Sequence, residues 1–232
     1  MEEKSPRRQN IMSKTLYILC EGQTEEAFIK TVLYDYFANL NIYVIPIICS
    51  TKRIQSRQHK GGVTSYSTIK TELYKLSQSH KNEFITTMFD YYAMPDDTPY
   101  IDCVEPDIYK RINIIENAIN QDIGQNNCKF NFMLHEFEAI LFSNPNAFSI
   151  LTNIDTNTII QSIQTIKGQF DTPEHINNFK ETAPSKRILK LIPSYAKVKD
   201  GVRISSTIGI DTIMQECLHF KKWIDFIKNW LS

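Results

Sequence analysis

Three times in its first 140 residues the chain runs a short apolar stretch straight into a carboxylate. Leu16-Tyr17-Ile18-Leu19-Cys20 ends at Glu21, residues 84–89 end at Asp90, and residues 129–134 end in His135-Glu136-Phe137-Glu138. Runs of this length read as strands buried on both faces. Helical patterns cover residues 24–39, 65–79 and 107–122, the first with Phe28, Ile29, Val32, Leu33 and Phe37 as its apolar stripe. Parallel strands joined through helices present their carboxyl ends on one sheet edge, where open α/β folds place ligands. The expected fold is therefore α/β: a mostly parallel four-stranded sheet flanked by helices, followed by a helical C-terminal part.

At the first of these junctions Gly22 would permit a sharp turn, and Thr24 would cap the helix that follows. Residues 42–49 form a further apolar run. Its Pro46 cannot donate to a ladder, which predicts an edge strand or a bulge. Beyond residue 147 only helical patterns recur, over 155–166, 173–180 and 185–192, then a helical pair over 211–231 interrupted near Cys217. This divides the chain into a flexible extension (1–12), an α/β domain (13–145) and a helical part packed on it (146–232).

Lysines plus arginines number 26 and acids 26, so no global field announces nucleic acid, and such binding needs a local patch. Two patches qualify. The loop 52–62 is basic and ends in Lys60-Gly61-Gly62, where glycines let backbone N–H groups approach a phosphate. Ser185, Lys186 and Arg187 follow Pro184 at a helix start, which suits an anion. Each also reads as an ordinary solvated loop or capped surface helix. The five cysteines are scattered and odd in number, against zinc or disulfide frameworks and for a reducing cytoplasm. The polar N-terminus argues against a signal peptide, and no apolar run is long enough for a membrane span.

Glu21, Asp90 and Glu136 or Glu138 fall at equivalent places in successive strands. Acids gathered at one sheet edge repel one another unless a cation or shared protons intervene. Oxygen ligands point to Mg²⁺ or Mn²⁺, which polarises a phosphodiester and activates water. Taken singly, each acid also reads as a helix-cap anion, worth about 0.3–1 kcal/mol. His135-Glu136 does not continue into a second histidine at Ala139, which excludes a zincin. There is no P-loop, and Cys20 reads as a buried strand residue.

The segments 16–25 (LYILCEGQTE), 89–95 (FDYYAMP), 135–143 (HEFEAILFS) and 182–188 (TAPSKRI) occur in this order. Together they resemble a prokaryotic domain-of-unknown-function family with a TOPRIM-like, Rossmann-like fold, distantly similar to TOPRIM nucleases of the OLD (overcoming lysogenization defect) type. The resemblance covers nearly the whole chain. It implies a Mg²⁺-dependent phosphodiesterase acting on DNA or RNA in anti-phage defence, beside a partner ATPase, with the oligomeric state open. On the matching positions it makes Glu21 the catalytic glutamate, Glu25 the second acid of E-x-x-x-E, and Asp90 the first acid of D-x-D. Tyr92 stands where the second acid of that motif belongs, so Glu136 or Glu138 would substitute. Lys186 would take the basic transition-state role. The competing reading is a non-catalytic TOPRIM-like partner or sensor of an ATPase.

Overall fold

In a computed structural model, which describes residues 14–50, 65–151, 155–176, 179 and 181–232, the apolar runs form one parallel sheet. Strands β1 (Lys14–Cys20), β2 (Ile42–Ile48), β3 (Phe84–Asp90) and β4 (Cys128–Lys129) lie in the order β2-β1-β3-β4, and β5 (Phe132–Met133) also pairs with β3. Pro46 sits opposite Ile18 in β2, at the sheet edge. The strand is unbroken through it, so of the two expected accommodations the edge is the one realised.

Side chains alternate across the sheet and divide the core in two. Leu16, Ile18, Cys20 and Met88 face α1 (Gln23–Phe28), α2 (Tyr34–Ala38) and the C-terminal helices. Leu19, Ile85 and Phe89 face α3 (Tyr66–Ser79) and α4 (Ile108–Ile123). A helical layer therefore covers each face, as the doubly buried strands require. The first core is shared with Trp223, Ile224 and Ile227, so the sheet and the last helix bury their apolar surface together.

Several local readings are corrected. Gly22, not Thr24, is the N-cap of α1, because the Glu25 carboxylate accepts the Gly22 N–H at 3.0 Å and fixes the helix start there. Gly22 is extended (φ −158°), so no left-handed turn demands it. Between α1 and α2 the helix widens into a π segment, Ile29–Leu33, where the Tyr34 N–H reaches back to the Ile29 carbonyl. The fourth strand is split because side chains intercept its backbone. Thr87 Oγ1 bonds both the N–H and the carbonyl of Asn131, Asn120 takes the Phe130 N–H and Glu116 takes the Phe132 N–H. The segment Phe137–Ser143 is a 3₁₀ turn, and of residues 173–180 only Pro173–His175 forms a short 3₁₀ turn among the described residues.

In the C-terminal part, α5 (Thr156–Lys167) and α6 (Pro184–Leu191) follow the sequence pattern. The helix α7 (Lys197–Ile208) does not; its polar, glycine-containing sequence hides it. The final pair is α8 (Ile210–Glu216) and α9 (Leu218–Trp230), broken at Cys217. Glu174 caps α9 by accepting the N–H groups of His219 and Phe220, each at 2.9 Å. Among the described residues no helix is long and apolar enough to cross a membrane.

Candidate functional site

The register of β1 on β3 sets Cys20 opposite Met88, so Glu21 and Asp90 emerge side by side at the carboxyl edge. The Glu21 N–H donates to the Met88 carbonyl at 3.3 Å, and the Asp90 backbone N–H faces the Glu21 carboxylate. Glu25 lies one turn into α1. Its bond to Gly22 folds it back over the junction, where it is buried. Asp90 Oδ1 accepts the Phe137 N–H at 2.8 Å, which draws the segment after β5 against β3. Glu136 is held by Ser185, whose N–H (2.9 Å) and hydroxyl (3.1 Å) each donate to one of its oxygens. Glu138, buried in the 3₁₀ turn, meets Lys197 Nζ at 3.0 Å.

These five acids sense one another. Burial raises Asp90 well above the usual carboxylate range, and Glu25, Glu21, Glu138 and Glu136 raise it further. Burial also pushes Glu21 up to about 7, helped by the Glu25 charge; the Asp90 N–H and Lys197 offset this only in part. Glu25 and Glu138 are raised by burial as well, against the pull of Lys197. Burial would lower Lys197, but Glu138 and Glu136 outweigh it and hold the ammonium charged. One cation against five acids leaves a pocket that retains protons or attracts a further cation.

The donor set is all oxygen, which fits a hard divalent ion and not zinc. It is not a finished cage: among the described residues no group of three or more His, Cys, Asp or Glu side chains is arranged to hold a metal ion. Asp90, Glu25 and Glu136 each also accept a backbone N–H. Mg²⁺ commonly binds through one or two carboxylates, with water and substrate oxygens completing its shell.

The basic residues fall out differently. Ser185 touches the acids, but the anion at the start of α6 is Glu136 itself. Lys186 is exposed and lines a groove with Ser162 and Thr165. Arg187 donates to the Thr182 carbonyl at 2.7 Å and stacks on Phe170. The lysine in contact with the acids is Lys197. Lys60, Gly61 and Gly62 lie outside the described residues.

Two participants escaped the sequence reading. Lys197 is one of several lysines and arginines between residues 186 and 203, and nothing local distinguishes it. Tyr195 is buried with its hydroxyl unpartnered among the described residues, and burial followed by the Glu138 charge raises it. Gly201 explains how both approach the acids: a Cβ there would lie 2.9 Å from the Tyr195 hydroxyl and 3.2 Å from Phe137 Cε1. A bare glycine lets α7 settle onto the 3₁₀ turn that carries Glu138.

Fold and site together define a parallel α/β protein with a cluster of carboxylates at the strand ends and a lysine from a C-terminal helix against it. Its residues 20–228 match the family described as "Domain of unknown function (DUF4276)", and the chain belongs to that family. The chain is similar to two solved structures of the C-terminal region of the OLD protein of Xanthomonas campestris pv. campestris, one phased with iodine and one with platinum. Both show 15% identity and a TM-score of 0.37 over 94% of this chain, and cover 99% and 98% of the respective solved chains. No curated protein matches the sequence.

Proposed function

We propose that the protein is a metal-dependent phosphodiesterase of the nuclease type, acting on DNA or RNA in anti-phage defence beside a partner ATPase. The observation that carries the chemistry is the convergence of Glu21, Glu25, Asp90, Glu136 and Glu138 at one sheet edge, with Lys197 as their cation. The nucleic-acid substrate and the defence setting rest on the TOPRIM-like motifs of the sequence. Glu21 and Asp90 would hold Mg²⁺ or Mn²⁺, which supplies charge neutralisation at a phosphodiester and a more acidic water when bound. Lys197 offsets charge that develops on the phosphate oxygens. Glu25 keeps the β1–α1 turn closed, while Ser185 and Lys197 hold Glu136 and Glu138 in place.

Glu21→Gln and Asp90→Asn are each expected to abolish Mg²⁺-dependent cleavage of labelled DNA and RNA without lowering the melting temperature. Equal cleavage by wild type and both variants would end this reading. A second reading is favoured by the carboxylates already engaged with N–H donors and by Tyr92 at the second D-x-D position: a non-catalytic partner or sensor of an ATPase. Mg²⁺ calorimetry separates the two, since saturable millimolar binding supports the enzyme and its absence supports the sensor.

A further inference from the structure

On the other side of the segment that carries Glu136 lies a cavity of about 450 Å³, between the N-terminus of α4 and His175. His135 lines it. This residue has a left-handed backbone (φ 63°), a conformation that costs a non-glycine residue energy, and the Tyr92 N–H holds its carbonyl at 3.1 Å. The residue is 6% exposed, and its Nδ1, out of reach of solvent, has no partner among the described residues. Arg111, in the first turn of α4, is anchored through Nε to the Glu105 carbonyl at 2.6 Å and forms no ion pair among the described residues. Its two terminal nitrogens remain for an anion. His175 completes the wall, its ring tilted against Tyr109. The acid at the rim, Asp107, spends Oδ1 on the N–H groups of Tyr109 and Lys110.

Arg111, His135 and His175 thus face one space from three elements, with the Asp107 carboxylate at its rim capping the 16-residue helix α4. Arg111 and His175 each disfavour charge on His135, adding to its burial. We propose that this cavity binds a backbone phosphate of a nucleic-acid strand, gripped by Arg111 and His175 with His135 as its floor. Adjacent residues stand about 3.8 Å apart. His135 in the cavity and Glu136 among the acids are such neighbours, so one segment contributes to both. The assignment builds on the nucleic-acid part of the function proposed above.

The test is fluorescence anisotropy of a short labelled single strand in EDTA, where no cleavage occurs, over a series of salt concentrations. Arg111→Ala is expected to weaken binding about tenfold and to flatten the salt slope by about 0.7. His175→Ala, which removes no anchoring bond, should weaken it in the same direction, so the result does not hinge on one variant. Inorganic phosphate should compete with the strand on wild type and lose that effect on Arg111→Ala. Wild-type affinity and slope in both variants would overturn the proposal, as would a wild type that binds no strand. Phosphate binding through Arg111 with strand affinity unchanged in the variant would overturn it too, assigning the cavity to free phosphate. A wild type that binds through Arg111 but does not cleave with Mg²⁺ would sink the nuclease reading and leave this site standing.

Discussion

Asp90 Oδ1 accepts the backbone N–H of Phe137 at 2.8 Å, and this bond fastens the end of β3 to the segment that delivers Glu136 and Glu138. A carboxylate of the acid cluster thus also builds the site around it, and its charge and its hydrogen bond can be separated chemically.

Asp90→Asn keeps an acceptor for the Phe137 N–H and removes the charge, whereas Asp90→Ala leaves that buried N–H unsatisfied. The alanine variant is expected to be about 1–3 kcal/mol less stable than the asparagine variant. Urea denaturation measures the difference, and equal midpoints would show that the bond contributes nothing to folding. Both variants should lack metal-dependent cleavage.

Stability should fall as pH rises through the acid cluster. Glu21 moves from an ordinary value of 4.5 to about 7 in the folded protein, so between these values the native state binds more protons than the unfolded chain. By linkage the destabilisation is absent below pH 4.5, grows as pH rises and is complete above about 7; the shift corresponds to about 3 kcal/mol. Glu21→Gln should abolish this part of the slope and raise the melting temperature at pH 8 relative to wild type. Mg²⁺ should flatten the wild-type slope and leave that of Glu21→Gln unaltered. Parallel pH profiles for wild type and variant would contradict the assignment.

Lys197→Met should strand Glu138 as a buried charge. The lysine side chain is 45% exposed and the glutamate 2%, so solvent screens the pair from one side only, and a loss of about 1–3 kcal/mol at neutral pH is expected. Adding Glu138→Gln should recover most of it. A double-mutant cycle by chemical denaturation reads the coupling, and additive losses would mean that the two side chains do not support each other.

Gly201→Ala should push α7 off the 3₁₀ turn. With 2.9 Å between the new Cβ and the Tyr195 hydroxyl, a cost of about 1–3 kcal/mol is expected. Tyr195→Phe removes the clashing oxygen, and in that background the alanine should be better tolerated, although Phe137 Cε1 at 3.2 Å still resists it. Thermal melts of the single and double variants settle the sign.

What could be read from the chain is what short-range pattern encodes. Leu16–Cys20 and residues 84–89 are apolar because both sheet faces are covered, so the first charged residue afterwards marks the strand end, and Glu21 and Asp90 stood out. Pro46 announced the edge by the donor it lacks. What could not be read depends on contacts between distant residues. No local rule says that Thr87 will take over the backbone of Asn131 and split the fourth strand, or that Glu116 will claim the Phe132 N–H. Lys197 is one cation among several in its stretch, and only the descent of α7 at Gly201 singles it out from Lys186. Thr24 misled because the capping group came from Glu25 one residue further on.

The ion pair between Glu138 and Lys197 has a temporal side. In the sequence, Lys197 follows Asp90, the acid that ends β3, by 107 positions. At about 5–20 residues per second, a ribosome needs on the order of 5–20 s to cross that gap. Through that interval the growing polypeptide carries its acids with no balancing lysine beside them. The acid cluster acquires this counter-charge only once α7 has been synthesised and docks.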